Sequence, residues 1–210
     1  ALHGGKIVGL SEVKTAVLSD VEEIVKIHNS AFEKFFLTSL GDRFLKFYYE
    51  AFVNSSLGIV LCAVDGGNIL GFAATAKCSK GFNLQLLKTN LCRFFLIALR
   101  FLFVSPKSLV RLAKNLTKKT NTIDDNAEYA ELYSIGVYNT QQGKGIGKML
   151  LMETENKLLS LGITKISLTT DFNDNDSAIN FYTKMGYEVL YEFISYPNRK
   201  MYRLIKDLTC

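Results

Sequence analysis

The segment from 129 to 162 constrains the fold most, because a strand pattern, a glycine-rich stretch and a helix pattern follow one another without interruption. Residues 129–137 are rich in apolar side chains, and apolar residues recur at helical spacing from Met149 to Leu159. Between these patterns, three glycines stand at alternate positions: Gly143, Gly145 and Gly147. Alternate glycines let backbone amides turn toward an anion, and the N-terminus of the following helix attracts negative charge. This order predicts a phosphate-binding turn between a strand and a helix.

The spacing of the glycines excludes the two most familiar phosphate-binding loops. A Walker loop needs one more residue between its first glycine and a Gly-Lys-Ser/Thr sequence, whereas Gly143 and Gly147 enclose three residues and Met149 follows Lys148. A dinucleotide-binding fingerprint requires glycine where this chain has Lys148. Such a fingerprint also follows the first strand of its chain, whereas several predicted strands precede this turn. The turn therefore predicts phosphate binding of another kind.

The other patterns predict one mixed α/β (α+β) domain over residues 1–210. Alternating residues at 13–17 predict a first strand, and Ser19 with Glu22 forms a capping box that begins a helix. Gly66-Gly67 lies between two apolar runs and predicts a β-hairpin. The remaining predicted elements are helices at 41–52 and 175–185 and strands at 59–64, 69–76, 163–168, 187–196 and 200–205.

Composition excludes several classes of protein. With 210 residues, 48% hydrophobic and 21% charged, the chain can bury a full core without disulfide or metal crosslinks. The two histidines, and the four cysteines without a Cys-x-x-Cys pair, argue against a zinc cluster, and we expect no metal site. The sequence opens without a basic-then-apolar signal segment, so we expect a reduced, cytoplasmic protein.

Residues 77–127 carry the positive charge of the chain, with ten lysines and arginines against two aspartates. Their pattern predicts two inserted helices, one at about 87–103 and one beginning at Ser105. The apolar run at 91–104 is too short to cross a bilayer. The second predicted helix places basic residues on one face: Lys107, Arg111, Lys114 and Lys118.

Three interpretations of this insertion stay open. The basic face is the solvated side of a lid, or it contacts an anionic partner, either a membrane surface or a phosphorylated acceptor. Contact with a membrane surface would place the protein peripherally at a membrane. The apolar first helix is also compatible with a homodimer. No base-reading motif is present, so we expect no nucleic acid partner.

Two motifs together resemble the GNAT acetyltransferase superfamily. The first is Gln142-x-x-Gly145-x-Gly147, and the second is Asn175-x-x-Ala178-x-x-Phe181-Tyr182-x-x-Met185-Gly186-Tyr187. The resemblance covers about 129–187 and implies a strongly bent mixed sheet flanked by helices, with acetyl-CoA as co-substrate. The insertion at 77–127 departs from the minimal family pattern, on the side where acceptors bind.

The resemblance also implies a donor site. Acetyl-CoA would lie between the strands at 129–137 and 163–170, which would part at a bulge near Gly136. Backbone groups of Ile135 and Val137 would bind the pantetheine arm. The remaining donor-binding residues are then Gln142, Gly143, Lys144, Gly145, Ile146, Gly147, Lys148, Asn175 and Tyr182.

The implied reaction is direct attack of a primary amine, from a small molecule or a peptide, on the thioester. Tyr182 matches the tyrosine that protonates the leaving thiolate in resembling enzymes. Glu131 is our first candidate for the base, ahead of Tyr133 and Glu128, although it is equally suited to attract a cationic amine at the rim. His28 lies on an apolar helix face and is expected to be structural. The alternative function is a CoA-binding sensor without turnover that docks through the basic helix.

Overall fold

The computed structural model describes residues 12–33, 35–91, 126–173, 175–195 and 198–209, together with Arg93, Phe95, Leu99 and Val110. The strands of the described part are β1 (Glu12–Thr15), β2 (Gly58–Asp65), β3 (Asn68–Ala76), β4 (Ala130–Val137), β5 (Lys165–Asp171), β6 (Glu188–Ser195) and β7 (Arg199–Asp207). Its helices of more than one turn are α1 (Val21–Ala31), α2 (Asp42–Asn54), α3 (Phe82–Thr89), α4 (Ile146–Ser160) and α5 (Asp176–Lys184).

The strands form one mixed sheet in the order β1-β2-β3-β4-β5-β7-β6. Every neighbouring pair is antiparallel except β4 and β5, which run parallel. The hairpin between β2 and β3 turns at Gly66 and Gly67, whose φ angles of 54° and 84° suit the tight turn that the sequence predicted. The mixed α/β fold is thus confirmed.

Helices cover both faces of the sheet and bury two hydrophobic clusters. On one face α1, α2 and α3 pack with β2 and β3 around the buried side chains of Ile24, Leu45, Tyr49, Phe52, Phe72 and Phe82. On the other face α4 packs on the sheet through Leu150, Leu151 and Leu158, beside Ile166 and Leu168. Apolar burial of this extent supplies most of the stabilisation of a domain of this size.

The parallel pair of β4 and β5 is short. Only three residue pairs join the two strands, ending at Leu132 and Leu168, while β4 continues to Val137 and β5 to Asp171. The facing edges of the two strands are therefore unpaired with each other beyond that point. We call this opening the β4–β5 groove.

The β-bulge of the central strand lies at Tyr133, which corrects the predicted position at Gly136. Ala74 and Thr75 of β3 pair with Ser134 and Leu132, so Tyr133 is the extra residue on β4. The bulge interrupts the strict alternation of faces, because two residues oppose one on the partner strand.

Gly136 serves a different purpose. A Cβ atom there would lie 3.0 Å from Phe72 Cε1 and 3.1 Å from Phe32 Cε2. Glycine therefore lets these two rings pack directly on β4 beside the groove.

The start of α1 differs from the predicted capping box. Its N-cap is Asp20 rather than Ser19, and the preceding residues Leu18–Asp20 form a turn of 3₁₀-helix. The Asp20 carboxylate accepts a hydrogen bond from the Val17 amide at 2.9 Å and pairs with Lys14 Nζ at 2.8 Å. These partners hold the carboxylate on the chain that precedes the turn. The Asp20 side chain therefore caps the 3₁₀ turn and makes no capping bond to α1, although the residue occupies the N-cap position.

The first helix of the insertion between β3 and β4 begins earlier than predicted. Helix α3 spans Phe82–Thr89 and ends at Asn90, whereas the sequence predicted a helix at about 87–103. Leu91, Arg93, Phe95 and Leu99 are helical as well. The basic face from Lys107 to Lys118 lies outside the described residues, so its membrane, phosphorylated-acceptor and dimer interpretations stay predictions.

Candidate active site

One cavity of about 1080 Å³ runs along the β4–β5 groove. Its lining includes the glycine-rich turn at 141–148 and the segment that joins α1 to α2. Residues 132–137 of β4 and 168–171 of β5 line it as well. The fold therefore joins the two sequence motifs in a single concave site.

The glycine-rich turn has the backbone that its sequence predicted. Gly143 and Gly145 have φ angles of 76° and 83°, and an added Cβ at either would meet no atom within 4 Å. Glycine is needed there for the backbone conformation and not for lack of space. The first backbone hydrogen bond of α4 runs from the Met149 amide to the Gly145 carbonyl at 3.0 Å. The amides of Ile146, Gly147 and Lys148 consequently have no acceptor within the helix and are oriented to bind an anion.

The polar side chains of the turn have separate roles. Lys148 lines the cavity, whereas the Lys144 ammonium donates to Gln141 Oε1 at 2.8 Å and is not part of the lining. Gln142 Nε2 donates to Asn139 Oδ1 at 2.9 Å and lies 3.4 Å from the Val137 carbonyl oxygen. Gln142 thus ties the turn to the end of β4.

Asn175 connects β5 to α5. Its Nδ2 donates to Thr170 Oγ1 at 2.5 Å and to the Asp171 carbonyl at 3.2 Å. The side chain makes no capping bond to α5, although Asn175 is the N-cap residue. It therefore holds the end of β5 at the groove.

Tyr182 lines the cavity from α5 and packs between Phe181 and Tyr187, with ring centroids 5.1 and 5.6 Å away. Burial raises the pKa of the Tyr182 phenol well above its ordinary value. The hydroxyl is consequently protonated at neutral pH and can donate a hydrogen bond. This is the arrangement that a donor to a leaving thiolate needs.

Glu131, the candidate base, does not line the cavity. One carboxylate oxygen accepts from Arg203 Nη1 at 2.6 Å, and the other accepts from the Ser79 hydroxyl. The side chains of Glu131 and Arg203 are each 12% exposed, so this is a shielded ion pair. A carboxylate with both oxygens engaged is poorly placed to take a proton from an amine, which argues against the predicted role. Of the two weaker candidates, Tyr133 lines the cavity and Glu128 is exposed outside it.

His28 is a cavity residue that the sequence assigned a structural role. It is 2% exposed and lines the cavity, and a hydrogen bond of 2.7 Å joins its Nδ1 to the Tyr49 hydroxyl. Tyr49 is also hydrogen-bonded to Ser134 of β4. The other ring nitrogen, Nε2, is buried without a partner. Burial lowers the pKa of His28 to about 4, so the ring is neutral at physiological pH.

In the part of the chain that the structure describes, no three histidine, cysteine, aspartate or glutamate side chains come close enough together to hold a metal ion. No helix in the described part is long and apolar enough to span a bilayer.

Comparison with known proteins decides the family. The model of the acetyltransferase (GNAT) family matches residues 21–187, a range that contains α1, the groove, the glycine-rich turn and α5. The chain belongs to the GNAT acetyltransferase family. The resemblance seen in the sequence is thereby confirmed. Curated relatives of this GNAT protein match it over short segments.

Two of these relatives are mycothiol acetyltransferase of Nocardia farcinica and acetyltransferase SG1711 of Sodalis glossinidius. The first is 30% identical over 73 residues, covering 35% of this chain and 24% of that protein. The second is 39% identical over 57 residues, covering 27% of this chain and 39% of that protein. The matched segment thus spans well under half the length of either relative.

Solved GNAT structures share the fold over nearly the whole chain. The ribosomal-protein-S18-alanine N-acetyltransferase of Escherichia coli has a TM-score of 0.60 at 12% identity and covers 94% of each chain. PaiA N-acetyltransferase of Thermoplasma acidophilum, solved in complex with coenzyme A, has a TM-score of 0.57 at 15% identity and covers 93% of this chain and 98% of that one. At these identities the likeness shows that this GNAT protein has the family fold.

Proposed function

We propose that this GNAT protein is an N-acetyltransferase that moves an acetyl group from acetyl-CoA to a primary amine. The observation that carries the proposal is the meeting of an unpaired strand edge with an anion-binding turn in one cavity. A pantetheine arm can hydrogen-bond to an open strand edge, and a diphosphate needs several amides at a helix N-terminus. The chain supplies both, in the order that an extended donor requires.

The donor-binding residues follow from this geometry. The β5-facing edge of β4, from Tyr133 to Val137, would bind the amides of the arm through the backbone of Ile135 and Val137. The amides from Gly145 to Lys148 would bind the diphosphate, and the Lys148 side chain would add a positive charge. These contacts would fix the thioester carbonyl at the middle of the groove, which holds two reactants in position for attack.

The chemical step needs no protein nucleophile. The amine nitrogen forms a bond to the carbonyl carbon, the carbon–sulfur bond breaks, and the thiolate leaves with the electron pair. The proton that the nitrogen then loses is taken up by the thiolate, so the products are an amide and free CoA. We propose that Tyr182 donates a hydrogen bond to this sulfur. Because its pKa is raised by burial, the phenol would stabilise the thiolate and remain mostly protonated at neutral pH.

The test of turnover is the release of free CoA from acetyl-CoA across a panel of primary amines, followed by chromatography. Thiol-reactive dyes are less suitable, because Cys78 is a partly exposed free thiol. We expect CoA release that depends on the amine, together with an acetylated amine of the matching mass. A CoA-binding sensor would bind the donor and release nothing, and that result would replace the enzyme proposal.

The test of the donor site compares two glycines at opposite ends of α4. Gly145→Ala and Gly162→Ala both place a side chain at a positive φ, 83° and 75°, with no atom within 4 Å of the new Cβ. Each should cost about 1–2 kcal/mol of strain. Only Gly145→Ala should weaken CoA binding in calorimetry, by roughly tenfold. Equal CoA affinity in the two variants would refute this site.

The location of the protein and its macromolecular partners stay predictions. A cytoplasmic enzyme is compatible with the reduced cysteines of the described part, Cys62 and Cys78.

A further inference from the structure

One part of the cavity lining is built mainly from one aromatic segment. We define the apolar wall as the large hydrophobic side chains that α1, α2 and the chain between them contribute to the lining: Phe32, Phe35, Phe36, Leu37, Phe44 and Tyr48. The rings of Phe32 and Phe35 meet edge to face with centroids 5.2 Å apart, and those of Phe44 and Tyr48 stack at 6.3 Å. The wall is therefore a packed surface and not a set of separate side chains.

The apolar wall adjoins the donor groove. Phe32 Cε2 would lie 3.1 Å from a Cβ added at Gly136, which places this ring against the backbone of β4. Tyr133 and Leu86 continue the apolar lining on the side of β4 and α3. An acceptor whose amine approaches the groove would thus have its body against carbon atoms.

Charged groups are scarce in the lining of the cavity. The charged residues among the described lining residues are Lys148, Asp171 and Arg199, and the last two pair with each other, with Arg199 Nε 3.0 Å from Asp171 Oδ1. Glu33 belongs to the same segment as the wall but is exposed and outside the lining, and Glu131 is engaged by Arg203. The described part of the apolar wall thus contains no carboxylate to neutralise a second ammonium group.

We infer that the acceptor is a primary amine with a single amino group and an apolar body, either aryl-alkyl or alkyl. The inference rests on the proposed function and specifies its substrate class. Moving an apolar body from water onto this wall lowers the free energy, because apolar surface is buried. One ammonium group is tolerated because the faces of aromatic rings attract a cation. A polyamine would lose the hydration of its further charges without gaining a counterion.

The same wall offers a route to the reactive form of the amine. Attack requires the neutral amine, and desolvation disfavours the charged form of any amine that is buried. An apolar acceptor held here loses water around its nitrogen, which favours proton release to solvent before the bond forms. This removes the need for a carboxylate base inside the cavity, and it agrees with the engagement of Glu131 elsewhere.

The experiment measures kcat/KM for 2-phenylethylamine, hexylamine and spermidine at saturating acetyl-CoA. We expect both monoamines to exceed spermidine by at least about tenfold. Phe35→Ala tests the wall, because Phe35 is 47% exposed and its removal should leave the fold intact. This variant should lower kcat/KM for 2-phenylethylamine by about tenfold and leave the KM of acetyl-CoA unchanged. Met152→Ala, on the exposed side of α4, is the matched control and should change neither quantity.

A second variant at Phe35 is expected to shift the substrate preference in the opposite direction. Phe35→Glu places a carboxylate on the wall and should raise spermidine turnover while it lowers that of 2-phenylethylamine. Preference of the natural protein for spermidine, or an unchanged 2-phenylethylamine value in Phe35→Ala, would overturn the inference and leave the proposed function standing. If no amine is acetylated although CoA binds in calorimetry, the proposed function fails and this inference fails with it.

Discussion

Acidification is expected to destabilise this protein through one buried ring, that of His28. The side chain is 2% exposed, and its pKa is lowered from 6.5 to about 4 by burial. Between these two values the unfolded chain binds a proton at this position and the folded chain does not. The stabilising contribution is therefore complete above pH 6.5 and is lost as the pH falls through 4.

The size of the effect follows from the two pKa values. Each pKa unit corresponds to about 1.4 kcal/mol, so a difference between 6.5 and about 4 amounts to about 3 kcal/mol of unfolding free energy. Carboxylates with lowered pKa values, such as Asp20 and Glu23, also lose stabilisation in acid. A variant without the His28 ring retains those carboxylates. The difference between the two proteins in the unfolding free energy lost on acidification therefore isolates the contribution of His28.

The assay is urea unfolding at several pH values between 7 and 4 for the natural protein and for His28→Leu. We expect the natural protein to lose about 3 kcal/mol more than the variant over this interval. Parallel curves for the natural protein and His28→Leu would refute the assignment of a neutral, buried ring.

Three substitutions test the groove and its supports. Tyr182→Phe should lower kcat by about 100-fold and leave the KM of acetyl-CoA unchanged in the CoA-release assay; an unchanged kcat would exclude Tyr182 from the chemistry. Glu131→Gln leaves Arg203 buried without its counterion and should cost about 3–5 kcal/mol in urea unfolding. If it keeps full stability and loses turnover instead, the carboxylate is the base after all. Gly136→Ala forces Phe72 and Phe32 apart and should cost about 1–3 kcal/mol in the same assay, and a neutral result would contradict the close packing.

Much of the fold was predictable because its elements depend on local patterns. The hairpin at Gly66-Gly67 and the turn into α4 need positive φ angles that glycine adopts readily, so the residue types and their positions coincide. The predicted position of the bulge, at Gly136, was wrong, although the sequence contains a sign of the true position at Tyr133. Leu132 and Ile135 face the α4 side of the sheet three residues apart, which breaks the two-residue alternation of a regular strand.

The features of the candidate site that the sequence does not show have a common physical cause. Glu131 and Arg203 are 72 residues apart in sequence, so no local pattern shows that the carboxylate is already paired. His28 was correctly placed on an apolar helix face, but its position at the cavity depends on how α1 packs against β4. The apolar wall likewise forms only when the α1–α2 segment folds over the groove. The sequence does show a hint in Phe32, Phe35 and Phe36, which cluster between two helices.

The short ladder between β4 and β5 has a consequence for the cohesion of the molecule. Three residue pairs connect a four-stranded antiparallel unit to a three-stranded one. A bound donor that hydrogen-bonds along the open edge would act as an additional strand and lengthen that connection. Amide hydrogen exchange at Ile135 and Val137 would then slow in the presence of CoA. The ligand would in this way be a structural component of the sheet that it enters.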